Sequence, residues 1–156
     1  MAELLLSNGG VAIVDPWDYE WAQWIRWHHD VNGYAKAHPN LYLHRAIVNA
    51  PAGTQVDHAN RNRLDDRRDN LRFCSRGENM YNAGSRGGSS RYKGVYLKSK
   101  RNWVRWAIKM RINGKDIHLG CFKDELSAAK AYDEAALVYH GAFAKLNCPI
   151  EEKKDG

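Results

Sequence analysis

The stretch VDHANRNRLDDRRDNLRFCSRGEN, residues 56–79, gathers side chains that can do chemistry as well as bind. Asp57 offers a hard carboxylate oxygen, and Asn79 offers an amide carbonyl oxygen. Two such oxygens on facing elements suit Mg²⁺ or Mn²⁺, which keep several waters and take further ligands from substrate phosphate. His58 follows Asp57 directly, so a strand turns it to the opposite side unless the loop bends there. A neutral imidazole can take a proton from water near neutral pH. A divalent metal and a base are the minimum for hydrolysing a phosphodiester. Asn70 could tie the intervening loop by hydrogen bonds and so orient His58. An Asp-His pair alone recurs by chance in many chains. Asp57, His58, Asn70 and Asn79 in order form a far more specific set.

These residues need elements to hold them. Gln55 to Asp57 reads as a strand end, and a long polar loop follows. Asn70 to Cys74 reads as a second strand, with Cys74 as a core thiol. Ser75-Arg76-Gly77-Glu78 is a capping box, so a helix starts after Ser75 and carries Asn79, Tyr81 and Asn82. Upstream, residues 4–14 read as two strands around Asn8-Gly9-Gly10. Asp15-Pro16 starts a short helix. Trp17, Trp21 and Trp24 recur at helical spacing, extended by Trp27, and such a stripe is expected in the core. Segments 33–36 and 41–49 read as extended or mixed. His28-His29-Asp30 is expected to be a polar turn rather than a metal site.

Residues 84–90, GSRGGSS, form the best linker in the chain. Beyond it, 92–97, 103–112 and 115–122 read as three strands, with Asn113-Gly114 as a hairpin turn. Asp124 caps a helix that Gly141 ends, and its small face of Ala128, Ala129, Ala131, Ala135 and Ala136 lets it lie close on a sheet. The strand from Trp106 alternates. Trp106, Ile108, Met110 and Ile112 point one way; Ala107, Lys109, Arg111 and Asn113 point the other. With Lys93, Lys98, Lys100, Arg101 and Arg105 this second face is cationic.

The charge distribution points to the same partner. Residues 61–115 carry 16 Lys/Arg against 4 Asp/Glu, net +12, while 1–60 and 116–156 are each net −3. A polyanion, most naturally a nucleic acid, is the expected partner. No apolar run suits a membrane span, and no signal-peptide pattern opens the chain. The three cysteines form no CxxC pair, which argues against a disulfide framework or a Cys-ligated zinc and fits the cytoplasm.

Residues 44–82 resemble the HNH nuclease family, and particularly its phage and intron-borne homing endonucleases. The resemblance rests on LHR (43–45), VDH (56–58), LDDRRDNLR (64–72) and EN (78–79), with Asn82 close behind. It implies that Asp57 and Asn79 bind the divalent metal, most simply Mg²⁺ with Mn²⁺ as the variant. It implies that His58 is the general base and that Asn70 fixes the loop. His44, in LHR, is expected to have a structural or DNA-backbone role. Ala59 and Asp66 depart from commoner family choices, and neither is expected to do chemistry.

Residues 90–147 resemble the Apetala-two/ethylene-response-factor DNA-binding domain through YKGV (92–95), WAIKMR (106–111), HLGCF (118–122), AAKAYDEAA (128–136) and HGAFAKLN (140–147). That family lays a three-stranded sheet in the DNA major groove, backed by a helix. The resemblance places Lys93, Tyr96, Lys98, Lys109 and Arg111 at DNA-contact positions. Tyr96 replaces a usual Arg and His118 a usual Trp, and the first hairpin is longer, so base preference does not carry over. Arg105 on the sheet and Arg67 and Arg68 on the polar loop complete the expected DNA-binding set.

The expected fold class is α+β: an N-terminal ββα-metal nuclease domain with a hairpin and helix extension (1–83), a linker (84–90), a three-stranded antiparallel sheet packed on one helix (91–148), and a flexible tail (149–156). The expected function is site-specific, single-metal hydrolysis of double-stranded DNA by a homing-type endonuclease acting in a bacterial host as monomer or dimer. The rival readings are a non-catalytic sequence-specific DNA-binding regulator and an RNA-directed or junction-resolving nuclease. A sheet built for a major groove disfavours RNA, whose major groove is too narrow for side chains to read.

Overall fold

The computed structural model describes residues 1–85 and 87–149. Residues 150–156 of the expected tail lie outside them. Among the described residues the molecule is mixed α and β, with several small antiparallel sheets and four α-helices. It divides into two compact units, Met1–Asn79 and Met80–Gly156.

In the first unit, β1 (Ala2–Leu5) pairs antiparallel with β2 (Val11–Val14) across the expected Asn8-Gly9-Gly10 turn. α1 (Pro16–Ala22) follows, with Asp15 as an extended N-cap and proline in its first turn. The tryptophan stripe enters the core only in part: Trp21 packs against it and Trp27 is 1% exposed. Trp17 and Trp24 are 61% and 83% exposed. The helix ends at Ala22, before Trp24, and the side it buries is that of Asp18 and Ala22. Trp27, beyond the helix, is the buried one, and its indole N–H donates to the Ala22 carbonyl at 2.9 Å.

β3 (His28–His29), β4 (Ala35–Ala37) and β5 (Leu41–Tyr42) form a small antiparallel sheet in that order. His28 and His29 form a strand rather than the expected polar turn; the turn starts at Asp30, which accepts from the backbone N–H groups of Asn32 and Tyr34, each at 2.9 Å. α2 (Leu43–Ile47) buries Leu43 and Ile47 in the core with Leu4, Leu6, Val14, Trp27 and Leu71. β6 (Gln55–His58) and β7 (Leu71–Cys74) form a two-stranded antiparallel ladder, followed by α3 (Arg76–Asn82). The capping box forms as read: Ser75 N–H donates to Glu78 Oε2 at 2.7 Å, and Glu78 N–H donates to Ser75 Oγ at 3.2 Å.

In the second unit, β8 (Val95–Lys100), β9 (Trp103–Ile112) and β10 (Lys115–Phe122) make an antiparallel sheet with β9 in the centre. Asn113 and Gly114 both have positive φ, as a type I′ hairpin turn requires. The first strand begins three residues later than its sequence suggests. Tyr92-Lys93-Gly94 is a turn, and Gly94 sits at φ +73 against the Tyr132 ring. α4 (Glu125–His140) is capped by Asp124, whose Oδ1 accepts from Ser127 N–H at 2.8 Å. Its Ala128, Ala129, Tyr132 and Ala136 pack on Val95, Ile108 and Met110. The alanines are small, so the helix can approach the sheet closely.

Candidate functional site

β6 and β7 pair Asp57 with Arg72 and His58 with Leu71. Side chains alternate along a strand, so Gln55 and Asp57 share one side of β6 and Val56 and His58 the other. The capping box fixes the start of α3, and one turn on Asn79 donates its amide hydrogen to Gln55 Oε1 at 3.2 Å. Asn79 thus meets the strand two residues from Asp57, on the Asp57 side. Asp57 is buried, and its Oδ2 accepts from Arg72 Nε at 2.9 Å and Nη2 at 2.7 Å. Gln55 and Arg72 are members of this site that sequence reasoning passed over. Their signal was positional: one is two residues from Asp57 on the same strand, and the other is its cross-strand neighbour.

His58 is 3% exposed, and its Nε2 lies 3.0 Å from Oδ1 of the fully buried Asp66. Asn70 does not hold the imidazole. Its Nδ2 donates to the Asp65 carbonyl at 2.7 Å, and its Oδ1 accepts from Asn60 N–H at 2.9 Å. Its own carbonyl accepts from Ala59 N–H at 2.9 Å. Asn70 therefore closes the loop, while the grip on His58 falls to Asp66. Arg67 and Arg68 pin the same loop. Arg67 makes two 2.7 Å bonds to Asp65, and Arg68 makes two 2.8 Å bonds to Asp18. These bonds hold Asp65 well below the usual carboxylate range, Arg67 being the main cause, and raise both guanidinium groups further.

His44, from α2, lies beside His58 with ring centroids 5.1 Å apart, and Tyr34 covers both at 5.0 and 5.8 Å. Burial, with the neighbouring His58 adding to it, pushes His44 down to about 3, so its imidazole is neutral. Burial pushes Asp66 up, against the opposing His58 hydrogen bond. One ligand atom from each of His44, His58 and Asp66 falls within 4.8 Å of the others. Among the described residues, His44 Nδ1 and Asp66 Oδ2 have no hydrogen-bond partner. A cavity of about 220 Å³ opens beside this group, lined by Tyr34, Tyr42, His44, Gln55, Val56 and Asn79 among others.

The donor chemistry on the Asp57 side fits a hard divalent cation. Asn79 gives its N–H to Gln55, so its carbonyl oxygen is the atom it offers. A carboxylate has about four lone-pair sites, so Asp57 can accept from Arg72 and still serve as a hard oxygen donor.

On the second unit, the strand register places Tyr96, Lys98, Arg105, Lys109 and Arg111 on one face of the sheet, opposite the face that carries Ile108 and Met110. Lys98 pairs with Arg105 across β8 and β9. Asp116 interrupts the positive face: its carboxylate lies 3.6 Å from Lys109 Nζ and 3.6 Å from Arg111 Nη1. Sequence reading missed it because Asp116 meets Arg111 only across the hairpin. Lys93 stands apart from this face. Its Nζ donates to the main-chain oxygens of Met80 and Tyr81, and its backbone is bracketed by the Asn147 side chain.

Residues 42–81 match the model of the HNH endonuclease family. The chain is also similar, over about half of its length, to proteins of AP2/ERF type. The chain is 36% identical over 78 residues, 49% of its length, to dehydration-responsive element-binding protein 2C of Arabidopsis thaliana. It is 36% identical over 72 residues to APETALA2-like protein 2 of Oryza sativa, and 34% identical over 79 residues to the putative dehydration-responsive element-binding protein 2H of Arabidopsis. The matches cover only 21%, 16% and 46% of those relatives. No solved structure matches the chain. No helix among the described residues is long and apolar enough to cross a membrane. The matches are consistent with an HNH segment accompanied by an AP2-like DNA-binding domain.

Proposed function

We propose that this chain is a site-specific DNA endonuclease of the HNH homing type. Residues 1–83 act as the nuclease, 84–90 as the linker, and 91–148 as the DNA-binding domain. The observation that carries the reading is the arrangement around β6: strand alternation turns Asp57 and His58 to opposite sides, and α3 brings Asn79 to the Asp57 side.

In this reading Asp57 and Asn79 would hold one divalent cation, Mg²⁺ or Mn²⁺. When bound, that ion supplies Lewis-acid stabilisation of charge on the phosphate and the leaving oxygen. His58 takes the proton of the attacking water. Arg72 fixes the Asp57 carboxylate, and Asn70 closes the loop that follows His58. Tyr96, Lys98, Arg105, Lys109 and Arg111 face the DNA from the sheet. Lys93, Arg67 and Arg68 keep their bonds within the chain and add positive charge for phosphate contacts.

The deciding experiment is Mg²⁺-dependent cleavage of supercoiled DNA by wild type and His58→Ala. Nicked or linear product, lost in the variant while DNA binding persists, is the expected result. Wild-type protein that binds duplex DNA but cuts none of a broad library with Mg²⁺ or Mn²⁺ would favour the second reading. That reading, a non-catalytic DNA-binding regulator, is favoured by the element-binding names of the relatives. Equal cleavage by both proteins would remove His58 as the base.

A further inference from the structure

We infer that Asp66 is a positioning residue that locks His58 into the tautomer carrying its proton on Nε2. The inference rests on the nuclease reading above. Asp66 Oδ1 is 3.0 Å from His58 Nε2, and both side chains are buried. An ionised carboxylate can only accept, so Nε2 must be the donor. In a neutral imidazole this makes Nδ1 the proton-accepting nitrogen. The carboxylate therefore selects which edge of the ring acts as the base.

The backbone of Asp66 is held by a different element. Asp66 N–H donates to the Ile13 carbonyl of β2 at 2.8 Å, and Ile13 N–H donates to the Leu64 carbonyl at 2.7 Å. The N-terminal hairpin thus carries the loop that presses Asp66 onto His58. Adjacent Asp65 serves a separate purpose, bonded to Arg67 and to Asn60 Nδ2 at 2.7 Å. The two aspartates of LDDRR have diverged into a loop clasp and an imidazole clasp.

Asp66 is also a costly choice for packing alone. Its Oδ2 is buried without a hydrogen-bond partner among the described residues, and a buried unsatisfied polar atom is destabilising. A site that keeps such a carboxylate against a candidate base fits the role played by the buried aspartate of a Ser-His-Asp triad, which fixes tautomer and orientation.

The test uses the full chain, labelled with ¹⁵N in its histidine rings and measured without metal at pH 8, where the tautomer of a neutral imidazole is read from its two nitrogen resonances. His58→Ala assigns the signals. The expected wild-type His58 has a protonated Nε2 and an unprotonated Nδ1, and Asp66→Asn mixes the tautomers because an amide can donate as well as accept. On DNA, Asp66→Asn is expected to lower kcat by roughly 100- to 10,000-fold with KM unchanged, by analogy with loss of a triad aspartate's charge. A wild-type His58 protonated on Nδ1 overturns the inference with no variant needed. So does an unchanged tautomer or unchanged cleavage in Asp66→Asn. Stoichiometric Zn²⁺ uptake that needs His44, His58 and Asp66 together would also overturn it, since Asp66 would then be a ligand. If wild type cuts no DNA, the nuclease reading fails, and the nitrogen resonances still decide whether Asp66 sets the ring.

Discussion

His44 sits where burial and a second imidazole both oppose a positive charge, which is why its folded form is held down to about 3. Unfolding releases it to its ordinary value, so between these limits the unfolded chain binds the extra proton. Its contribution to stability is therefore fully present above about pH 6.5 and lost as pH falls toward 3, a loss on the order of a few kcal/mol. Asp66 works in the opposite sense. Burial raises it, so the folded form takes the proton first, and that contribution weakens as pH rises through the raised value. Urea unfolding of wild type and His44→Phe from pH 7 to pH 4 separates the two. The wild type should lose more stability on acidification than the variant, and parallel curves would show that His44 does not carry this dependence.

Elements add constraints of their own. At Gly94 a Cβ would lie 2.2 Å from Tyr132 Cε2 and 2.6 Å from the Lys109 carbonyl oxygen, at φ +73. Tyr132 is buried and Lys109 O is backbone, so neither can yield cheaply. Gly94→Ala should cost more than about 3 kcal/mol in thermal unfolding of this unit, from overpacking added to backbone strain. Gly114→Ala is the control: φ is again positive, but nothing lies within 4 Å, and only the left-handed cost of about 1–2 kcal/mol is expected. Comparable losses at the two positions would mean that the Tyr132 contact is not decisive. On the same sheet, Asp116 offsets two cations of the face that carries Lys98 and Arg105. Asp116→Asn should tighten binding to duplex DNA severalfold at low salt and progressively less as salt rises, measured by fluorescence anisotropy. Weaker binding would mean that Asp116 orders Lys109 and Arg111 rather than opposing their charge.

Across the whole molecule the positive charge is concentrated in residues 61–115, between two segments that are each net negative. Affinity for DNA should therefore be strongly salt-dependent, with each neutralised phosphate adding roughly 0.9 to the slope of log K against log salt. Lys98→Ala with Lys109→Ala should lower that slope by about 2 and weaken binding to all sequences alike. His58→Ala should leave the slope unchanged. A double variant with the wild-type slope would place the phosphate contacts elsewhere on the chain.

Interactions that close over a few residues were legible in the sequence. The Ser75–Glu78 capping box, the Asp124–Ser127 cap and the Asn113-Gly114 turn each form as their residue types require, since backbone geometry alone brings such partners together. Strand alternation likewise determined that Asp57 and His58 diverge and that Lys109 and Arg111 share a face. The tertiary structure alone decided which distant groups complete those local patterns. Arg68 reaches Asp18 across 50 positions in sequence, and Asp66 is aimed at His58 because β2 holds its backbone. Trp17 and Trp24 are exposed because the first helix stops at Ala22 and buries its other side. Periodicity specifies which residues share a face, but the neighbouring element determines which face is covered.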